Sequence, residues 1–173
     1  VPSTVVLVAK FIALALALAG LCIVVMLAGM LVQLFKGYTH LEPGLYLSYL
    51  FMVVYPTLLC LAALAFTIHT IVNQKFLGHT LMIVSYVVIA ILPTVGIEHT
   101  LLLFSNTPDV TYSDMNGYGP FLVPLFWLTL YWLLVSGLLL LLTDKLWVRG
   151  KDEALKRRWR TGRRPAAAAP RTA

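Results

Sequence analysis

Four long apolar stretches dominate the chain. Residues 11–35 run 25 positions without a charge, bracketed by Lys10 and Lys36. Residues 45–72 run 28 positions without one, with Pro56 inside. Residues 80–97 run 18 and contain Pro93, and residues 121–143 run 23 with Pro124 near their start. About 20 apolar residues cross roughly 30 Å of hydrocarbon, so all four stretches are candidate spans. Lipid offers no hydrogen bonds, and a helix satisfies its backbone within one segment. A membrane barrel would show short alternating segments instead. The pattern therefore predicts an all-α fold, a polytopic transmembrane bundle with helices at 11–35, 45–72, 80–97 and 121–143. Residues 1–10 read as a cytoplasmic lead-in, 11–143 as the transmembrane domain with an outer loop at 98–120, and 144–173 as a basic cytoplasmic tail and linker.

Composition agrees with lipid as the solvent. Of the 173 residues, 60% are hydrophobic and 12% charged. Soluble domains carry about 25% charge. The second stretch exceeds what a span needs, so a tilt or a kink at Pro56 is expected. Tyr46, Tyr49, Tyr112, Tyr118, Trp127 and Trp147 fall near stretch ends and suit the headgroup region. Tyr131 and Trp132 fall deeper, where packing between helices is expected.

Charge fixes the expected threading. The net charge is +6, from 13 Lys and Arg against 7 Asp and Glu. Ten of the 13 basic residues lie from Lys145 onward, so that end is expected in the cytoplasm. Alternating back through four helices puts Lys75 and Lys10 on the cytoplasmic face and leaves Lys36 outside. Loop 98–120 holds Glu98, Asp109 and Asp114 and no basic residue, as an outer loop should. Charge concentrated in one tail is a topology signal, so no nucleic-acid partner is expected. Residues 151–164 could lie on the membrane surface as an amphipathic helix.

Few residues suggest chemistry. Cys22 and Cys60 sit inside apolar stretches and read as packing residues, not as a disulfide or metal pair. Bis-histidine haem needs two imidazoles facing each other at one depth. His69 and His99 fall at opposite ends, and His40 falls in an outer loop. His69 and His79 flank one inner loop and could meet, but nothing else points to haem or metal. Glu98 and His99 read as interface anchors. No nucleophile elbow, zinc motif or phosphate loop is present, so no catalytic, cofactor or metal site is expected. Small residues recur at four-residue spacing in the first stretch, at Ala13 and Ala17, Ala15 and Ala19, and at Ala28 and Gly29, predicting close helix approach there. The outer loop is the most distinctive segment. It holds Tyr112, Ser113, Asp114, Asn116, Gly117, Tyr118 and Gly119, where Asn116-Gly117 signals a turn and Gly119-Pro120 restarts a helix.

Several strings together resemble a known family. They are Gln33-Leu34-Phe35-Lys36-Gly37-Tyr38, Asn73-Gln74-Lys75-Phe76-Leu77-Gly78-His79, Gly96-Ile97-Glu98-His99, Tyr112-Ser113-Asp114-Met115-Asn116-Gly117-Tyr118-Gly119, Tyr131-Trp132 and Trp147-Val148-Arg149-Gly150. Over about residues 2–160 the chain resembles the membrane domain of bacterial ABC-type exporter permeases. It is similar in particular to those fused to a zinc aminopeptidase-like domain. The resemblance implies the last four of six helices, with residues 1–10 following the coupling region that touches the ATPase. It implies short re-entrant helices within 100–120. It further implies a bacterial cytoplasmic (inner) membrane location, a second permease half, and ABC ATPase subunits that use ATP which this chain does not bind. Pro56 and Pro93 would supply bends between moving parts. The first two helices and any peptidase segment are missing. That, together with Val1 in place of Met and the Pro-Ala-rich end, leads us to expect a segment of a longer polypeptide. Two alternatives stand beside the permease: a membrane anchor or assembly subunit that transports nothing, and a histidine-ligated haem protein.

Overall fold

Residues 3–147, apart from 73, 97, 98 and 114, are described in a computed structural model. Among them the fold is all-helical, and four helical spans are long and apolar enough to cross a membrane. The chain is a membrane protein. The expected surface helix at 151–164 and the rest of the tail and linker from residue 148 onward lie outside the described residues.

The first span is one helix, α1 (Ser3–Phe35). It begins well before residue 11, so Lys10 stands inside a helix and not in a separate lead-in. Hydropathy marks where hydrocarbon begins, and the helix continues past that limit. Lysine is a good helix former whose stem lies along apolar surface while its head reaches water.

The second span is Pro43–Val72 and is built in three pieces. They are α2 (Pro43–Tyr49), a π-turn (Leu50–Val54) and α3 (Tyr55–Val72). Pro56 explains the π-turn. In a regular helix the proline ring clashes with the carbonyl four residues back. Here the wider turn lets the Tyr55 N–H bond to Leu50 O, five residues back, which opens the helix ahead of the ring. The Thr57 hydroxyl caps another local carbonyl, Val53 O, at 3.0 Å.

The third span starts at Lys75, earlier than predicted, because its polar first turn makes helix without being apolar. It comprises α4 (Lys75–Ile91) and a 3-10 turn (Leu92–Val95) that contains Pro93. Gly96 ends it at φ 91°, a left-handed position that glycine occupies without strain. The fourth span is α5 (Gly119–Leu146). Pro120 lies in its first turn, where no N–H is needed, and Pro124 lies inside it.

The spans alternate in direction. The Thr4 hydroxyl donates to Asp144 Oδ2 at 3.0 Å, and Lys10 Nζ lies 5.1 Å from the Trp147 ring centroid. The start of α1, the end of α5 and the α3–α4 turn thus share one end of the bundle, the hairpin end. Residues 36–42, Gly96 and the start of α5 share the other, the loop end.

The core runs between α3 and α5. Cys60, Ala63 and Thr67 form the buried face of α3, opposite Trp132, Ser136 and Thr143 on α5. Small side chains let the two backbones approach closely. The Thr67 and Thr143 hydroxyls meet at 2.9 Å, while Thr67 also bonds Ala63 O and Thr143 bonds Leu139 O. The close seam therefore lies on α3, not on α1 where small residues recur. Ala13 and Ala17 are exposed. On the Ala15 side, α1 meets α3 through the Tyr55 hydroxyl, which donates to Ala15 O at 3.3 Å, and through an edge contact of Phe11 with Phe66. Gly29 packs against Tyr46. Thr67→Val and Thr143→Val should each lower stability by about 0.6–1.7 kcal/mol in detergent unfolding, and the double variant should cost little more than either.

Candidate functional site

Residues 99–106 leave the loop end and turn inward. Leu103 and Ser105 are buried. The Ser105 hydroxyl donates to Thr57 O at 3.3 Å, and the Phe104 ring meets Trp132 edge-on at 5.1 Å. Thr57 lies 14 residues into its span and Trp132 lies 13 residues into α5. At about 1.5 Å per residue, both lie roughly 20 Å from the loop end. The segment thus dips to about mid-bundle. It does so as turns, without the short helices that the family resemblance implies.

Irregular backbone at membrane depth survives only where protein buries it or a cavity receives it. Both apply here. Ser105 has φ 61°, an uncommon conformation for a residue with a side chain. That twist falls between Phe104, set against Trp132, and Asn106, which faces a cleft. The cleft holds about 250 Å³ between α3, α4 and the dipping segment. Thr57, next to Pro56, lines it, and so does Pro93. Pro93 thus borders the cleft directly and Pro56 stands one residue from it, each marked by a departure from α geometry.

Leu101-Leu102-Leu103-Phe104, an apolar run inside the 98–120 loop, is the residue-level signal for the dip. The family resemblance implies re-entry in this stretch too, but as short helices, which residues 99–106 do not form. Trp132, expected between helices, is 5% exposed, whereas Tyr131 is 40% exposed on the outside of the bundle. The face of α5 that holds Trp132 also buries Thr129 Oγ1, Trp132 Nε1 and Ser136 Oγ without partners among the described residues.

The outer-loop motif forms a separate structure. Ser113 and Gly117 exchange backbone hydrogen bonds of 3.2 and 2.7 Å, closing a three-residue loop with Gly117 at φ 57°. Gly119 N–H then bonds Asn116 O at 3.0 Å and leads into α5. The rings of Tyr112 and Tyr118 stack edge-on at 5.3 Å. Partial burial raises the pKa of the Tyr118 hydroxyl, and Tyr49 and Tyr112 nearby add to the rise. Asp114 and Glu98 lie outside the described residues.

At the hairpin end, Lys10 and Lys75 are both exposed. This end also brings two histidines together, with the rings of His69 and His79 4.8 Å apart and edge-on. Rings in direct contact leave no room for a porphyrin between them. No group of three metal-ligating side chains occurs among the described residues. His40 and His99 are at the other end. Cys22 and Cys60 are buried and unpaired, in packing positions. No protein-family model, no curated protein and no solved structure matches this chain. The site is therefore read from its own geometry.

Proposed function

We propose that the chain is the membrane permease part of an ATP-driven ABC-type exporter, which forms or supports a pathway across the bacterial cytoplasmic membrane. The dipping segment at 99–106 carries this reading. An anchor or assembly subunit needs only short turns between its spans. Strained, non-helical backbone at mid-bundle serves a chain that must receive something there. The resemblance of the quoted strings points the same way. The π-turn before Pro56 and the 3-10 turn at Pro93 supply places where helices can shift against each other.

In this reading the chain carries no catalytic residue and binds no cofactor. ATP is bound and hydrolysed by partner ABC ATPase subunits, and a second permease half completes the pathway. The hairpin end is cytoplasmic, with Lys10, Lys75 and the basic tail facing the ATPase. The Tyr112 to Gly119 turn faces outward and holds the loop end in order.

Reconstitution tests the proposal. The chain, within its native polypeptide, is purified from bacterial membranes in mild detergent and placed in liposomes. A P-loop ATPase is expected to copurify in fixed ratio, with ATP hydrolysis that falls several-fold when the permease is omitted. In the same cells, Asp114→Cys should react with an impermeant maleimide and Lys75→Cys should not, against a low background because Cys22 and Cys60 are buried. Hydrolysis indifferent to the chain, or labelling of both cysteines from one side, overturns the reading.

A further inference from the structure

The cleft between α3, α4 and the dipping segment has a chemistry of its own. Leu61, Ile89, Ala90, Leu103 and Phe104 make it apolar, and among the described residues no acid or base lines it. An ion inside would find no counter-charge among them, and burying an unpaired charge is prohibitive. The ligand it fits is therefore neutral.

The mouth opens sideways. Tyr86, Ala90 and Pro93 form its α4 edge and are exposed at the depth of a membrane span. Their neighbours Val87, Val88 and Ile91 are exposed as well. A surface of this kind in a spanning helix faces hydrocarbon, so a ligand enters from the bilayer and not from water. Drug-sized ligands occupy pockets of roughly 300–1,000 Å³. At about 250 Å³ the cleft is smaller, and it suits one slender chain better than a ring system.

Two polar groups give it direction. Tyr86 and Asn106 line the cleft, and their side chains make no hydrogen bond among the described residues. In hydrocarbon such groups seek a partner, and each is able to bond a ligand oxygen. The strained turn at Ser105 holds the dipping backbone, and Asn106 with it, at this depth.

We infer that this cleft is a lateral binding site for a neutral, oxygen-bearing lipid, such as a monoacylglycerol, with one acyl chain over Leu61 and Leu103 and its polar oxygens at Tyr86 and Asn106. The inference does not rest on the transport reading. A lipid site needs no ATPase, and the two are tested separately.

The test uses a diazirine-bearing monoacylglycerol on the purified protein in nanodiscs, with labelled peptides mapped by mass spectrometry. Saturable labelling of the peptides bearing Tyr86 to Pro93 and Leu103 to Asn106 is expected, displaced by unlabelled monoacylglycerol. Ala90→Trp fills the cleft and should lower labelling by about tenfold or more. Tyr86→Phe and Asn106→Leu each remove one hydrogen bond and should lower it about fivefold. Unchanged unfolding midpoints show that these variants are folded, and a variant that fails this control is replaced by Ala90→Phe. Labelling that does not saturate, that ignores Ala90→Trp, or that is matched by an equally substituted anionic phospholipid overturns the inference.

Discussion

Trp132→Ala is expected to release the dipping segment from the bundle. The indole is almost wholly buried and holds Phe104 edge-on, so it is the main floor under residues 99–106. In lipid the solvent outside is as apolar as the core, so the transfer contribution to this loss is small. The cavity contribution remains. At about 24 cal/mol per Å³ and on the order of 100 Å³ lost, it comes to about 2 kcal/mol. Detergent unfolding should show that loss, and protease should cut within residues 99–106 faster than in the parent. Trp132→Phe should cost far less, because the ring contact survives and an unpartnered N–H disappears. Equal losses for alanine and phenylalanine would mean that the segment is not held by this ring.

Gly78→Ala is expected to reverse its sign with its neighbour. An added Cβ at Gly78 would overlap His69 Nδ1 and lie 2.8 Å from its Cε1. The ring cannot swing freely, because His79 packs on it. Displacing packed atoms costs about 1–3 kcal/mol. Alanine in place of helical glycine returns up to about 1 kcal/mol, so the variant should be net destabilised where the ring stays. In a His69→Ala background the obstacle is gone and the same change should stabilise α4. A double-mutant cycle on unfolding midpoints reads the difference directly. No coupling between the two sites would show that α4 does not depend on glycine to approach α3.

The spans were legible because each is a single apolar stretch, and lipid permits one answer to such a stretch. Their ends were less so. Residues 3–10 and 75–79 are helical yet carry Lys10, Lys75 and His79, and hydropathy cannot see helix that lies outside hydrocarbon. The order of packing was hidden for a different reason. Repeated small residues in α1 looked like a seam, but Cys60, Ala63 and Thr67 on α3 make the seam, since they face Thr143 and Ser136 on α5. Spacing within one helix says which residues share a face and not what that face meets. The turn that Asn116-Gly117 signals is there, closed by the Ser113 and Gly117 backbones. The dip before it was implied only by the family resemblance, and as short helices; in the residues themselves its signal is the apolar run Leu101-Leu102-Leu103-Phe104, whose burial no spacing rule for loops predicts.

The π-turn at Leu50–Val54 makes the second span one residue longer than its pitch requires. Removing any one of those five residues would take away the wider turn, set the Pro56 ring against the carbonyl four residues back and leave the chain no less apolar. It would also rotate everything before it by about 100° relative to α3. Tyr46 would swing off Gly29, which it now touches, and Tyr49 would leave the side of Tyr118. The extra residue thus acts as an angular offset between two halves of one rod, setting Tyr46 on α1 while α3 keeps its small-residue face on α5.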